Sequence, residues 1–458
     1  MISYRKLAMR VLGHSPVSAV KTARRSTGKR AAALALTAAL VVGMTLPAFA
    51  LPWYIEDGDI SISAGESGND VTQNGKTTKN DTDTVIKSNG SSTASSNTVT
   101  IEAGEGKTVD VTLENVNIDA SSGAAVSVTG KGDTNIELNG NNTLTSSSGY
   151  AGLEHNKTDD SGTLTIQDEK NDDGSAKGGA SDTTGSLTAN GGYHSAGIGG
   201  SDGHDGQATI TGGEITATGG NGGAGIGGGA GDTDAVGGDG DVTISGGTIT
   251  ATGGSLGAGI GGGAYGNGTV TITGGDITAK ATGRYGAGIG GGYGAIPKDT
   301  LIGGNGTVTI SGGTITEASG GYMAAGIGSG FQGLGTVTIE GDAVIKNAQG
   351  GKAGAGIGSG TRGDSEIIIR GDAVIENAES SANGAGIGAG QGSLRDNIST
   401  VGKVTIEGNA KIENAKSGSG GSGIGGGFIG IGNVIIRGNA QIGNATGGEE
   451  GAGIGGGA

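Results

Sequence analysis

The chain has 458 residues, of which 108 are glycine, four are proline and none is cysteine; 28 Lys and Arg face 44 Asp and Glu, for a formal net charge of −16. Collagen is excluded, because glycine keeps no strict three-residue period and proline is scarce, and disulfide staples are excluded outright. So acidic a surface repels nucleic acid and anionic polymers and suits divalent cations, neutral glycans or basic partners.

Residues 1–50 read as a secretory signal peptide. Arg5, Lys6, Arg10, Lys21, Arg24, Arg25, Lys29 and Arg30 form a basic leader, Ala31–Met44 is a short apolar run, and Ala48-Phe49-Ala50 is a small-x-small cleavage site. The apolar run is too short to span a bilayer comfortably, so no integral membrane segment is expected in the mature chain. The destination is extracellular, secreted or cell-surface. Losing the leader removes eight cations and no acid, leaving 20 basic against 44 acidic residues, a net charge of about −24.

Residues 51–97 are rich in Ser, Thr, Asn and charge, and are expected to be a partly ordered segment with a first strand or cap. Trp53, the single tryptophan, is expected over the end of the core. Residues 98–200 carry short alternating runs, each the pattern of a half-buried strand: Val109–Leu113, Asn115–Ile118, Ala125–Val128, Asn135–Leu138, Asn142–Leu144, Thr163–Ile166 and Gly185–Thr188. Irregular coils are predicted here, with Asp159–Ser181 as a surface loop.

From 201 to 458 the coils become regular, organised around the phrase Gly-Ala-Gly-Ile-Gly. It is complete at 223–227, 257–261, 286–290, 354–358, 384–388 and 451–455, with near-copies at 195–199, 324–328 and 421–425. Its isoleucines (198, 226, 260, 289, 327, 357, 387, 424 and 454) are separated by 28, 34, 29, 38, 30, 30, 37 and 30 residues. Such a period marks a solenoid or array. One unit reads Val270-Thr-Ile272, a glycine pair, Ile277-Thr-Ala279, a loop, then Gly286–Gly290. That is about three strands of two to four residues, none stable alone. Stacked at roughly 4.7–4.9 Å, each pairs with its copies above and below. The predicted fold is all-β, a right-handed single-stranded parallel β-helix. Insertions are expected at Asp232–Asp241, Ala295–Asn305 and Gln391–Gly402. A propeller is disfavoured, since its blades need roughly 40 or more residues.

The stretch Asp110–Asn142, with DVTLENVNIDASSGAAVSV and NIELNGNNTL, resembles the start of bacterial extracellular carbohydrate-binding-domain-containing proteins with a pectate-lyase-like right-handed β-helix. GSLTANGGYHSAGIGG and VTISGGTITATGG resemble the repeats of the same group. The resemblance covers nearly all of 98–458. It implies a non-catalytic, extracellular glycan-binding role and supplies no site residue.

Equivalent positions in a β-helix form outer columns. If Ala258 and Ile260 face inward, Gly257, Gly259 and Gly261 face outward. Over nine coils this gives either a bare strip on which a polymer or sheet could lie, or glycines demanded by a tight bend. Tyr265, Tyr293, Phe331 and Phe428 follow the central isoleucine by four or five residues, and Tyr193, Tyr285 and Tyr322 precede it by as many. Rings can stack on sugar faces, so these seven are the candidate carbohydrate-binding residues; the alternative is that they cover glycine backbone. Asn347, Asn377, Asn414 and Asn444 are expected to form a ladder at a turn. Glu340, Arg370, Glu407 and Arg437 alternate in sign and should attract along their column. A threonine column, Thr209 to Thr405, is broken by Ile368 and Ile435 and reads as ordinary strand propensity.

Asp232, Asp234, Asp239 and Asp241 lie close enough in sequence to suggest a calcium (Ca2+) loop, although Val242 stands where a calcium-binding nonapeptide would have its aspartate. With four histidines in all, no zinc site is proposed. His204 with Asp205 is the best acid–base pair. The expected function is therefore polysaccharide or cell-wall glycan binding without cleavage, and an enzyme is not expected. The alternatives are a structural or adhesive spacer that self-associates through an open C-terminal strand edge, and a polysaccharide lyase or hydrolase.

Overall fold

The computed structural model describes residues 52–169, 185–231, 238–294 and 304–458. The predicted signal peptide lies outside them, as do Asp232 and Asp234. The described chain is a right-handed parallel β-helix with three sheets of 13, 11 and 15 strands. One coil contributes Gly268–Ile272 to the first sheet, Asp276–Ala281 to the second and Ile289–Gly290 to the third. Each strand pairs with its equivalents. Val270 lies between Val242 and Val308, Ile277 between Ile249 and Ile315, and Ile289 between Ile260 and Ile327.

The columns follow from the alternation. Val270, Ile272, Ile277, Ala279 and Ile289 are all buried, with polar residues between them. Eight of the nine phrase isoleucines, Ile198 to Ile424, are 0% exposed; Ile454 is 45% exposed, because its coil has a neighbour on one side only. Strands of the first two sheets run to five and six residues in this coil, longer than predicted, because Gly268, Thr269, Lys280 and Ala281 join the ladders as well. At the N-terminal end, Ile60–Ala64 pairs antiparallel with Asn69–Gln73, and that strand with Lys76–Asp81, which closes this edge of the third sheet. Trp53 packs against the core there and donates its indole N–H to Asp81 at 2.9 Å.

The asparagine ladder forms with Nδ2 to Oδ1 bonds of 3.3, 3.1 and 2.9 Å from Asn347 to Asn444. It is not at a turn. The register of the second sheet shifts after Ile277, so that Thr278 faces Glu317 and Thr316 is an extra residue. Later coils keep this bulge: Ile345 and Ala348 are buried while Lys346 and Asn347 both face solvent. The amide column rides on the second exposed position. Arg370 pairs with Glu340 and Arg437 with Glu407, each at 2.5 Å. Thr209, Thr243, Thr271, Thr309 and Thr338 stand in direct register, with Ile368 next.

The third sheet decides between the two readings of the glycine phrase in favour of the tight bend. Gly257, Gly259 and Gly261 do not form a bare outer strip; all are buried. The phrase is a tight reversal, closed by bonds such as Ala287 N–H to Gly291 C=O at 2.9 Å. Outside it the flanking segments meet. The amide four residues after one isoleucine donates to the carbonyl four residues before the isoleucine of the preceding coil: Tyr293 to Leu256 at 2.8 Å, Phe331 to Tyr285 at 3.0 Å, Thr361 to Met323 at 2.8 Å and Phe428 to Asn383 at 2.7 Å. The closing glycines have φ from +122° to +142°, a region that L side chains rarely adopt. A Cβ on Gly290 would lie 1.8 Å from the carbonyl oxygen of Gly328.

Adding a methyl here should therefore cost more than removing one from the core. Ile289→Val should cost about 0.5–1.5 kcal/mol. Gly290→Ala combines backbone strain of about 1–3 kcal/mol with the clash and should lower the melting temperature further. Thermal melts followed by circular dichroism compare the two; an equal or milder effect of Gly290→Ala would contradict the packing described.

Candidate functional site

Because the flanking segments are joined through backbone, their side chains project outward as two adjoining columns beside the third sheet. Four rings gather there. Tyr285 and Tyr293 are 4.7 Å apart between ring centroids, Tyr265 and Tyr293 5.2 Å, Tyr285 and Phe331 5.4 Å, and Tyr293 and Phe331 6.0 Å with planes 15° apart. All four are half-buried, so their faces are partly open to solvent. Burial, with Tyr265 and Tyr285 adding to it, pushes the Tyr293 hydroxyl up from its ordinary value, which keeps it a neutral donor.

The cluster continues into a groove of about 340 Å³ on the later coils, lined by Met323, Phe331, Thr361, Arg362, Gln391 and Phe428 among others. The insertion at Gln391–Gly402 forms one wall, pinned by a bridge between Ser393 and Ile398. Arg362 is fastened to it through Asp396 and, at 3.4 Å, through the Ser393 hydroxyl. Tyr265, Gln332, Arg362 and Ile429 occupy the same place in their coils with φ of +62°, +64°, +65° and +58°. Non-glycine residues hold this conformation only where the surroundings enforce it.

Of the seven candidate aromatics, the structure brings Tyr265, Tyr285, Tyr293 and Phe331 together. Tyr322 joins them through Arg284, whose guanidinium lies 5.7 Å from the Tyr285 ring and 5.5 Å from the Tyr322 ring. Phe428 lies farther along the same groove. Tyr193 stands apart, stacked on His194 at 4.1 Å and 56% exposed. The sequence reading missed the cations. Lys352 lies 5.9 Å from the Tyr322 ring and Arg362 5.9 Å from that of Phe331. The available signal was spacing: Arg284, Lys352 and Arg362 stand five residues from a phrase isoleucine, as Tyr322 and Tyr265 do.

The two acidic candidates among the described residues, Asp239 and Asp241, both have protein partners. Asp239 belongs to a column at the head of the first-sheet strands: the Asp205 carboxylate accepts the Asp239 amide at 2.8 Å, Asp239 accepts the Asn267 amide at 2.7 Å, Asn267 that of Asn305 at 3.2 Å, and Asn305 that of Leu334 at 2.8 Å. Asp241 pairs with Lys157. Among the described residues no group of three or more His, Asp or Glu could hold a metal ion, and none of the helices is long and apolar enough to cross a membrane. The His204 ring nitrogen lies 2.9 Å from the Asp202 carbonyl, and the Asp205 carboxylate accepts the Asp239 amide.

This geometry defines a β-helix with one decorated loop face. Five stretches, 185–202, 209–230, 242–264, 270–293 and 308–331, match the family described as beta helix repeat. Each match ends four residues after its phrase isoleucine, at the position that carries Tyr293 and Phe331. No curated protein and no solved structure matches the chain.

Burial, then the Asp205 charge, raises the pKa of Asp239, while its bonds from Asn267 oppose the shift. A carboxyl raised on folding contributes stability below its unfolded pKa and loses it as the pH rises through the folded value. Asp239→Asn keeps the neutral form and extends the amide column. It should raise the melting temperature at neutral pH, with the gain fading near about pH 3.5, where the carboxyl is largely protonated in both states. A pH-independent gain would contradict this assignment.

Proposed function

We propose that this is an extracellular or cell-surface protein that binds polysaccharide without cleaving it, the ligand lying along the aromatic groove. The observation that carries the reading is the cluster of Tyr265, Tyr285, Tyr293 and Phe331, continued by Phe428, on one loop face. Ring faces pack against the C–H faces of sugars, and tyrosine hydroxyls reach their oxygens. The secretory leader and the resemblance to carbohydrate-binding β-helices support the same reading.

The test is retention of the mature chain in gels or on resins bearing a panel of cell-wall and plant polysaccharides. At about 1 kcal/mol per stacked ring, Tyr293→Ala and Phe331→Ala should each weaken binding roughly fivefold. Tyr54→Ala, at an exposed ring outside the groove, should not. Unchanged retention after both groove substitutions would remove the stacking assignment.

A further inference from the structure

We infer that the groove selects a polysaccharide bearing carboxylate or sulfate groups. This rests on the polysaccharide reading and adds the charge of the ligand. Arg284 stands five residues before Ile289, Lys352 five before Ile357 and Arg362 five after it. Arg395 and Arg362 both line the groove, and none of its described lining residues is acidic. Asp396, on the insertion, is paired with Arg362 and offsets its charge, so the contrast rests on Arg284, Lys352 and Arg395. Acids at the equivalent flanking positions appear towards the two ends of the column: Asp202 after Ile198, and Glu449 and Glu450 before Ile454. The middle coils therefore carry a basic island on a strongly acidic chain.

The cations are placed to act with the rings. Arg284 lies 5.7 and 5.5 Å from the Tyr285 and Tyr322 centroids, Lys352 5.9 Å from Tyr322, and Arg362 5.9 Å from Phe331. A guanidinium over a ring keeps N–H donors at its edge, in the fork that matches a carboxylate or sulfate. A uronic acid or a sulfated sugar presents both partners at once, an apolar ring face and an anionic substituent. The overall negative charge does not forbid this. Exposed charges are largely screened beyond about 8 Å at physiological ionic strength, so a ligand in the groove is governed by the cations beside it. The repulsion of anionic polymers expected from composition averages over a surface on which charge is segregated.

The experiment compares matched pairs on the mature, full-length chain: dextran sulfate with dextran, and alginate with carboxyl-reduced alginate. The anionic member of each pair should bind at least about tenfold more tightly, the weight of one or two charge-assisted contacts. Raising the salt concentration should shrink that ratio. Arg284→Gln with Lys352→Gln, at two exposed positions, should bring it toward one, with circular dichroism confirming the fold. Equal binding within each pair overturns the anionic inference and leaves the polysaccharide reading standing. Poly-L-glutamate binding as well as the anionic glycans overturns it too, since charge alone would then suffice. Retention of none of these and of no other polysaccharide overturns both.

Discussion

A contact between backbones sets the shape of every coil that carries the glycine phrase. At the closing glycine of each phrase from Gly199 to Gly425, an added Cβ would lie only 1.8–2.2 Å from a carbonyl oxygen of the next coil. Parallel stacking places equivalent residues directly over one another, so a side chain at this point would meet the same obstruction in every layer. Glycine removes it throughout the column, and the chain can then reverse within one phrase and bring its flanks together outside. The earlier coils show the other solution. Glu154 occupies the register position of Gly199, and Ser127 that of Glu154. The buried carboxylate of Glu154 is held there by the hydroxyls of Ser127, at 2.9 Å, and Ser201. A side chain at this position needs partners of its own, and glycine needs none.

Aliphatic stacking makes the coils adhere but says little about which coil lies on which. A chain of near-identical layers can slip by one layer and bury almost the same surface. The polar columns distinguish the layers. The bulge begins at Thr316, the asparagine ladder follows it from Asn347, and the Glu–Arg pairs occur only in the later coils. The Asp and Asn column from Asp205 to Asn305 marks the middle. Exposed ion pairs add little stability, about 0–1 kcal/mol each. Their weight lies in penalising layers set like charge on like.

The sequence makes the core legible because an inward face must recur at every coil, and Ile289 cannot leave its column without opening the core. The asparagine ladder is legible for the same reason, as equal spacing implies stacking. Its place inside a strand is not, since one inserted residue between Ile345 and Ala348 looks on paper like a turn. The covering of the glycine phrase is hidden more deeply. Alternation says which way Gly259 faces but not what lies beyond it, and the clamp from Phe331 to Tyr285 uses only backbone atoms. Stacking gives Asp239 partners 34 residues before and 28 after, Asp205 and Asn267, which its sequence neighbours do not reveal. The aromatic column could be seen because aromatics are rare in this chain. Arg284, Lys352 and Arg362 share the same spacing, but net charge averages them against many distant acids and so conceals them.

How a repetitive scaffold acquires a distinct site follows from where its side chains are constrained. Inward positions must fill the same space in every coil and are nearly all Val, Ile, Leu or Ala. The central and closing glycines of the phrase, where an added Cβ would meet backbone, admit no side chain, whereas the first is replaced by Ser195 and Ala324 in two near-copies. The flanking positions differ, since the segments that carry them are held by amide-to-carbonyl bonds that any residue can make. Thr361 and Gln391 make the same bond as Tyr293 and Phe428. Side chains there can change from coil to coil without disturbing the stack, and the loops can lengthen, as at Gln391–Gly402. Variation collects on this face because the backbone alone secures it. The rings and cations of the middle coils thus lie where the fold tolerates individuality and where a long ligand could contact several coils at once.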